Sequence, residues 1–265
     1  MNPPSPHSSL LAQAAGLLAS AQRILFITGA GLSADSGLPT YRGVGGLYEG
    51  QLTELGIPIE QALSGQMFKR RPEVTWQYLA RIEAACRGAR PNAAHYAMAR
   101  LEAMHGGVTV LTQNIDGFHT QAGSHDVIEI HGSLHTLRCT ACARTRQVES
   151  YAGLALPPEC PHCGGMLRPE VVLFGENLPE AAVQRYEAVL AAGPDLVISV
   201  GTGSAFPYIA GPVIWAAEAG IPTIEINPGH TPVSAHVEIQ LPLRAAEALP
   251  ALLEAAGLGL GAPDA

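Results

Sequence analysis

The chain has 265 residues, 47% of them hydrophobic and 14% charged, with a formal net charge of −8. That length and apolar content can bury a substantial core, and they suit one large domain or one large plus one small. The acidic balance gives no overall pull toward nucleic-acid phosphate or an anionic membrane surface, which excludes binders that rely on bulk positive charge.

Residues 1–9 (MNPPSPHSS) are polar and lack the basic and apolar regions of a secretory signal. The apolar stretch at 10–20 is too short to span a bilayer. A soluble cytoplasmic protein is the expectation. Leu10, Leu11, Ala14, Leu17 and Leu18 recur at helical spacing, which predicts a helix over 9–20. Residues 23–28 (RILFIT) read as a buried strand feeding the turn Gly29-Ala30-Gly31. A backbone without side chains at such a place can cradle a pyrophosphate, but GAGLS is not a complete G-x-G-x-x-G and suits an ordinary tight turn equally. A dehydrogenase would close a second strand with an acidic residue about 20 residues on. Residues 51–61, broken by Gly56 and Pro58, end no strand there. Residues 33–42 (SADSGLPTYR) read as a mobile loop over a cofactor. Tyr41 would shield a reactive carbon, and Arg42 would hold phosphate or orient a ribose.

Residues 43–90 are mainly helical in pattern. A helix over 76–87 puts Tyr78 and Arg81 on one face, which by spacing alone is a solvated arginine beside a half-buried tyrosine. A helix over 92–104 leads into a strand at 108–112 (VTVLT). Gln113, Asn114 and Asp116 follow at the carboxyl edge, where such sheets bind ligands, although the same residues could cap a helix. His131 closes the apolar run 127–130. Histidine titrates near neutrality and can take a proton from a sugar hydroxyl. His95, His119, His125 and His135 show that histidine alone says little, so the strand-end position is what singles out His131.

Residues 135–169 carry two Cys-x-x-Cys pairs, Cys139/Cys142 and Cys160/Cys163, with Ala141, Pro161, Gly164 and Gly165 as turn residues beside them. Four thiolates fill a tetrahedral zinc site and leave no position for substrate, so the metal is structural and the chemistry lies elsewhere. Cys86 is left over, which suits a reducing compartment. Further strands are expected at 171–176 (VVLFGE), 195–200 and 222–226. Helices are expected at 180–192, 211–219 and 245–256, with 257–265 as a loose tail. Buried strands alternating with helices predict an α/β fold with a doubly wound parallel sheet. The expected division is a discontinuous nucleotide-binding domain (1–42, 91–134, 170–257), a smaller inserted helical and zinc-binding domain (43–90, 135–169), and a tail (258–265).

The motifs together resemble the sirtuin family. GAGLSADSGLPTYR is similar to its GAGxSxxSGxPxFR signature, residues 112–116 to its TQNID, His131-Gly132 to its catalytic HG, and the four cysteines to its zinc module. VVLFGE resembles its peptide-binding strand, Gly201-Thr202 its GTS turn, and Ile226-Asn227 its nucleotide-binding strand end. The matches run in order from about residue 22 to 245. The resemblance implies a Rossmann-like NAD-binding domain and an NAD-dependent protein-lysine deacylase. The acyl oxygen of a modified lysine would attack the nicotinamide ribose carbon of NAD. His131 would then activate ribose hydroxyls, so that nicotinamide, free lysine and O-acyl-ADP-ribose depart.

It also implies site residues. NAD would meet Gly29, Ala30, Gly31, Ser33, Ser36, Tyr41, Arg42, Gln113, Asn114, Asp116, Gly201, Thr202, Ser204, Asn227 and Ala245. Catalysis would rest on His131 with Asn114 and Asp116, and Cys139, Cys142, Cys160 and Cys163 would hold zinc. Val172 and Phe174 would line an acyl-lysine tunnel. VTWQYLAR resembles the stretch supplying the Tyr-x-x-Arg pair of class III sirtuins, which accept succinyl, malonyl or glutaryl groups. Tyr78 and Arg81 would then bind the acyl carboxylate. Acylated-lysine proteins are the implied partners, for a monomer with no membrane attachment. Two departures stand out: Tyr41 replaces the commoner Phe, and Gly203, followed by Ser204, stands where the GTS turn has Ser. Two competing readings are a mono-ADP-ribosyltransferase on the same scaffold and a non-catalytic zinc-ribbon module for nucleic acid, the latter favoured only by Arg138, Arg144 and Arg146.

Overall fold

The computed structural model describes residues 6–40 and 52–259, so Tyr41 and Arg42 lie outside the described residues. In chain order, α1 (Pro6–Ser20) leads into β1 (Ile24–Thr28), α2 (Ala30–Ser33) and a 3-10 turn at Ala34–Ser36. Then come α3 (Ile59–Ala62), α4 (Gly65–Arg70), α5 (Pro72–Cys86), α6 (Ala93–His105), β2 (Val108–Thr112), α7 (Phe118–Gln121) and β3 (Val127–Glu129). β4 (Gly132–Cys139), β5 (Thr145–Gln147) and β6 (Leu167–Val171) form a second sheet. α8 (Glu180–Ala192), β7 (Leu196–Val200), α9 (Pro207–Glu218), β8 (Thr223–Ile226), β9 (Ile239–Leu241) and α10 (Ala245–Ala255) complete the chain.

Six strands pair in parallel in the order β3-β2-β1-β7-β8-β9. Successive side chains of a strand point to opposite faces, and both faces here are covered. Ile24 and Phe26 pack with Leu18 of α1, Met98 of α6 and Leu252 of α10. Leu25 and Ile27 pack with Ile209 and Val213 of α9, against partly buried Val183 and Tyr186 of α8. This is why residues 24–27 are apolar throughout, and all five residues of β1 are buried. From β1 the chain moves one way to β2 and β3, and β7 later fills the other side. The switch in direction leaves a crevice at the carboxyl ends of β1 and β7.

The second sheet is antiparallel, ordered β5-β4-β6. It packs with α3, α4 and α5 around a separate core. Trp76 of α5 donates its indole N–H to the Leu167 carbonyl at 3.2 Å and meets Tyr151 edge-on at 5.4 Å. The inserted segments around 52–90 and 135–169 thus lie together.

Several expectations need correction. The run 171–176 is not one strand. β6 starts earlier and ends at Val171; Val172 then bonds back to His131, and Gly175 turns the chain with φ of 80°. Glu176 accepts from the Leu173 amide and pairs with Arg168 through both oxygens, which closes this turn. Residues 33–40 are not loose: Ser33 and Leu38 are buried, and Gly37 closes the 3-10 turn in the left-handed conformation. α9 begins at Pro207 rather than at residue 211, because proline suits a first helical turn that needs no N–H. The start of the tail is docked: the Leu258 amide reaches Leu253 O at 2.8 Å, and Arg100 donates to Gly259 O at 3.2 Å. Among the described residues no helix is long and apolar enough to cross a membrane.

Candidate active site

Two turns meet at the switch point. The Gly31 amide donates to Gly201 O at 2.7 Å, and the Gly29 amide to Val200 O at 3.2 Å. A Cβ at Gly31 would stand 2.6 Å from Gly201 O, and one at Gly29 would stand 2.8 Å from Thr202 Cβ. Only glycine allows that approach, so the two turns pack backbone to backbone beside the crevice. Gln113 Nε2 donates to Thr202 Oγ1 at 2.7 Å, and Asn227 Nδ2 to Thr202 O at 3.0 Å. The structure therefore gathers Gly29, Ala30, Gly31, Gln113, Gly201, Thr202 and Asn227 at one edge. Ser204 lies there too, with φ of 46° and a buried Oγ that has no hydrogen-bond partner among the described residues. An orphaned hydroxyl beside a bare cradle fits a polar, phosphate-bearing ligand such as NAD.

Ser36 ends the 3-10 turn after α2, whereas Ala245, the first residue of α10, is buried in the core of the large sheet. Asn92 caps α6 by accepting from the Ala94 amide at 3.0 Å, and donates to Ser36 Oγ at 3.0 Å and Leu32 O at 2.8 Å. Asp35 accepts from Arg244 and from the Ala246 amide, which ties the start of α10 to the 3-10 turn.

Deeper in, Ser33 Oγ donates to Asp116 Oδ2 at 2.7 Å, while Asn114 Nδ2 reaches Gly29 O at 3.1 Å and Ser33 Oγ at 3.2 Å. The other Asp116 oxygen accepts from the Phe118 amide at 3.0 Å. Asp116 thus does both things the sequence left open, capping α7 and facing the site. Burial raises its carboxyl above the usual carboxylate range. Ala30, Ser33, Asn114 and Asp116 share a cleft with Ile82, Ala85 and Cys86 of α5. Burial pushes the Cys86 thiol up to about 12, so it is an unreactive wall.

His131 follows β3. The next residue must be glycine: Gly132 has φ of 75°, and a Cβ there would stand 1.8 Å from Glu170 O. His131 Nδ1 lies 3.0 Å from Gln113 O, and Nε2 lies 2.7 Å from Tyr208 Oη. A carbonyl only accepts, so Nδ1 carries the ring proton and Nε2 holds the lone pair. Burial also lowers the imidazole below its ordinary value, against the opposing hydrogen bond to Gln113, and so favours the neutral ring. The Val172 amide donates to His131 O at 2.9 Å, which sets Val172 beside the histidine. Phe174 instead bridges to Ser64.

Tyr78 and Arg81 do lie together, with the guanidinium 5.2 Å from the ring centroid. The Tyr78 hydroxyl is buried without a partner among the described residues, while Arg81 holds Glu54 through one nitrogen at 2.9 and 3.0 Å. Sequence reasoning missed Glu54, Phe206 and Tyr208. The FPY run one residue after the GTGS turn was the available signal for the last two.

All four Cys139, Cys142, Cys160 and Cys163 sulfurs lie within 4.8 Å of one another, with Cys139–Cys163 at 3.5 Å and Cys142–Cys160 at 3.8 Å. Sulfurs bound at ~2.3 Å to one zinc stand roughly 3.8 Å apart, so the set fits the ion. The Cys142 and Ala141 amides each lie 3.4 Å from Cys139 Sγ and hold that thiol down at about 6. A Cβ at Gly165 would stand 3.2 Å from Cys139 Sγ and 3.3 Å from Cys163 Sγ, so the glycine leaves the sulfurs room.

A family model described as the Sir2 family matches residues 29–206. The chain is 53% identical over 244 residues to the NAD-dependent protein deacylase 2 of Pseudomonas syringae pv. tomato, covering 91% of this chain and 98% of that one. It resembles the crystal structure of a Sir2 homolog–NAD complex with a TM-score of 0.82 at 35% identity, covering 92% of this chain and 93% of that chain. A Sir2 structure with deacetylated p53 peptide and 3′-O-acetyl ADP ribose is similar at a TM-score of 0.81 and 27% identity, covering 92% and 97%.

Proposed function

This chain belongs to the Sir2 family, and we infer that it is an NAD-dependent protein-lysine deacylase. The observation that carries the reading is the convergence of Ser33, Asn114, Asp116 and a neutral, Nε2-basic His131 on the crevice beside the bare Gly29–Gly31 and Gly201–Thr202 turns. NAD supplies the electrophilic ribose carbon when bound. The two turns receive its phosphates, with Ser204 and Asn227 near the sugar and Ser36 at the rim. Asn114 and Asp116 hold the nicotinamide end within the cleft closed by α5. His131 takes the ribose hydroxyl proton at Nε2, while Nδ1–H stays on Gln113 O and fixes the ring. Tyr41 and Arg42 belong to the same reading through the motif alone.

The division into a nucleotide-binding domain (1–42, 91–134, 170–257) and an inserted domain (43–90, 135–169) is part of this reading. So are the monomeric state and a cytoplasmic location. Acylated-lysine peptides would enter along Val172, with Phe174 further out. The four cysteines fit a structural zinc remote from the reaction. The competing readings find no support. The relatives carry deacylase names, and Arg138, one of the three arginines offered to nucleic acid, pairs with Glu170 at 3.6 Å.

The acyl preference we assign is for chains ending in a carboxylate. Arg81 holds a carboxylate already, that of Glu54, next to a Tyr78 hydroxyl still without a partner among the described residues. A mass-spectrometric panel with NAD and acetyl-, succinyl-, malonyl- and glutaryl-lysine peptides tests cofactor use, reaction and acyl choice together. His131→Ala should bind NAD and lose two to four orders of magnitude in turnover, the usual weight of a general base. Full activity in that variant removes the assignment. Arg81→Met should cut succinyl-lysine turnover by roughly one to two orders of magnitude, since a hydrogen bond to a charged group contributes ~1.5–3 kcal/mol, and leave acetyl-lysine turnover nearly unchanged. Equal loss on both substrates makes Arg81 a structural residue.

A further inference from the structure

We propose that Tyr208 is a positioning residue for the base. In the structure its phenol caps Nε2 of His131, and the sugar hydroxyl of the dinucleotide must take its place. The base is then uncovered only when the cleft is filled. The inference rests on the reading of His131 as the base.

The imidazole of His131 has two ring nitrogens, each with its own partner. Nδ1 is committed as a donor to Gln113 O, so Nε2 is the only basic atom of the ring. That lone pair accepts one strong hydrogen bond, and Tyr208 Oη occupies it at 2.7 Å. A ribose hydroxyl cannot deliver its proton to Nε2 while the phenol stands there. Once it displaces the phenol, the hydroxyl's proton moves to Nε2 and the ring becomes a cation. Nδ1–H remains on Gln113 O, and Tyr208 keeps its own proton.

The fold holds Tyr208 at this place by several means. It lies in the first turn of α9, just after Pro207. Phe206 stacks on its ring at 5.4 Å and meets His131 edge-on at 5.9 Å. Four residues on, Pro212 has no N–H to give, so the Tyr208 carbonyl lacks its helical donor. The Tyr186 hydroxyl of α8 donates to that carbonyl instead, at 3.2 Å. Only three residues separate Tyr208 from Ser204, the orphaned hydroxyl of the ligand-binding turn. Ligand binding at that turn and release of the cap therefore involve one short, continuous segment.

Tyr208→Phe removes the cap and keeps the ring. The test uses ADP-ribose as probe, with calorimetry for affinity and ¹⁵N-histidine spectra for the His131 nitrogens. In the free wild-type protein Nε2 should carry the shift of a hydrogen-bonded acceptor. In free Tyr208→Phe it should move toward the unbonded value, and ADP-ribose should bring the two proteins to a common shift. The variant should bind ADP-ribose about three- to tenfold more tightly, the equivalent of one net hydrogen bond that need not be broken. With an acylated peptide, the gain should fall in KM for NAD rather than in kcat. Tyr186→Phe, which loosens the Tyr208 backbone and leaves the phenol, should shift both readouts the same way by less. Unchanged Nε2 shifts, weaker ADP-ribose binding, or a tenfold fall in kcat at constant affinity would overturn the proposal. If the wild-type protein turns over no acylated peptide, the proposed function fails, while the shifts and the ADP-ribose affinity still judge the cap.

Discussion

Every residue of β1 in the six-stranded sheet is buried, whereas all three residues of β5 in the three-stranded sheet are exposed. The large sheet is covered on both faces by helices, and its strands hide alternate side chains in two cores. The small sheet has one core, and two of the buried residues in it are Cys139 and Cys160. The large region therefore draws its stability from continuous apolar burial. The small one adds to its apolar core four clustered cysteines that fit a zinc cross-link. The cleft divides the same way: Asn114 and Asp116 follow β2 and His131 follows β3, while α5 supplies Ile82, Ala85 and Cys86 as its wall.

Metal removal should break this contrast open with the largest effect. Structural zinc contributes about 10–16 kcal/mol in small zinc domains. Chelation, or Cys160→Ala, should expose residues 140–165 to limited proteolysis while amide exchange in β1 and β7 stays slow. Equal loss of protection in both sheets would show that the regions do not differ in this way. Next come two core truncations of similar intrinsic cost, ~3–5 kcal/mol each. Phe26→Ala should lower the thermal midpoint of the whole chain. Trp76→Ala should raise exchange in β4 and β6 before the large sheet responds, and a uniform response to both would blur the distinction.

The smallest effect belongs to acid. Burial lowers His95 to about 4 and His119 to about 3, both from 6.5. Below pH 6.5 the unfolded chain binds protons that these folded histidines refuse, so stability falls as pH drops from 6.5 toward 4. At pH 5.5 the loss is roughly 1.4 kcal/mol for each. Asp116, whose carboxyl is raised, opposes this at the acid end. Both histidines lie near β1 and β2: His119 faces the Thr28 hydroxyl at 3.0 Å and meets His95 edge-on at 5.1 Å. The loss should thus appear as global unfolding in denaturant titrations at pH 7 and 5.5, and His119→Gln should flatten it. An unchanged slope in that variant would place the acid sensitivity elsewhere.

Much of this molecule follows from short-range pattern. The short apolar runs of RILFIT and VTVLT, the helical spacing of 92–104 and the paired Cys-x-x-Cys turns are local, so they can be read without knowing what lies across from them. The glycines of GAG and of His131-Gly132 are equally legible as positions where a side chain would collide, although the partners, Gly201 and Glu170, come from other elements. VVLFGE misled because an apolar run does not reveal where a turn closed by Glu176 and Arg168 will end its strand. The meeting of His131 with Tyr208 joins residues 77 apart, and that of Arg81 with Glu54 joins residues 27 apart. Such contacts depend on how crossover helices and inserted segments dock. Periodicity determines which face of an element is buried, and only the packed chain determines which side chain stands opposite.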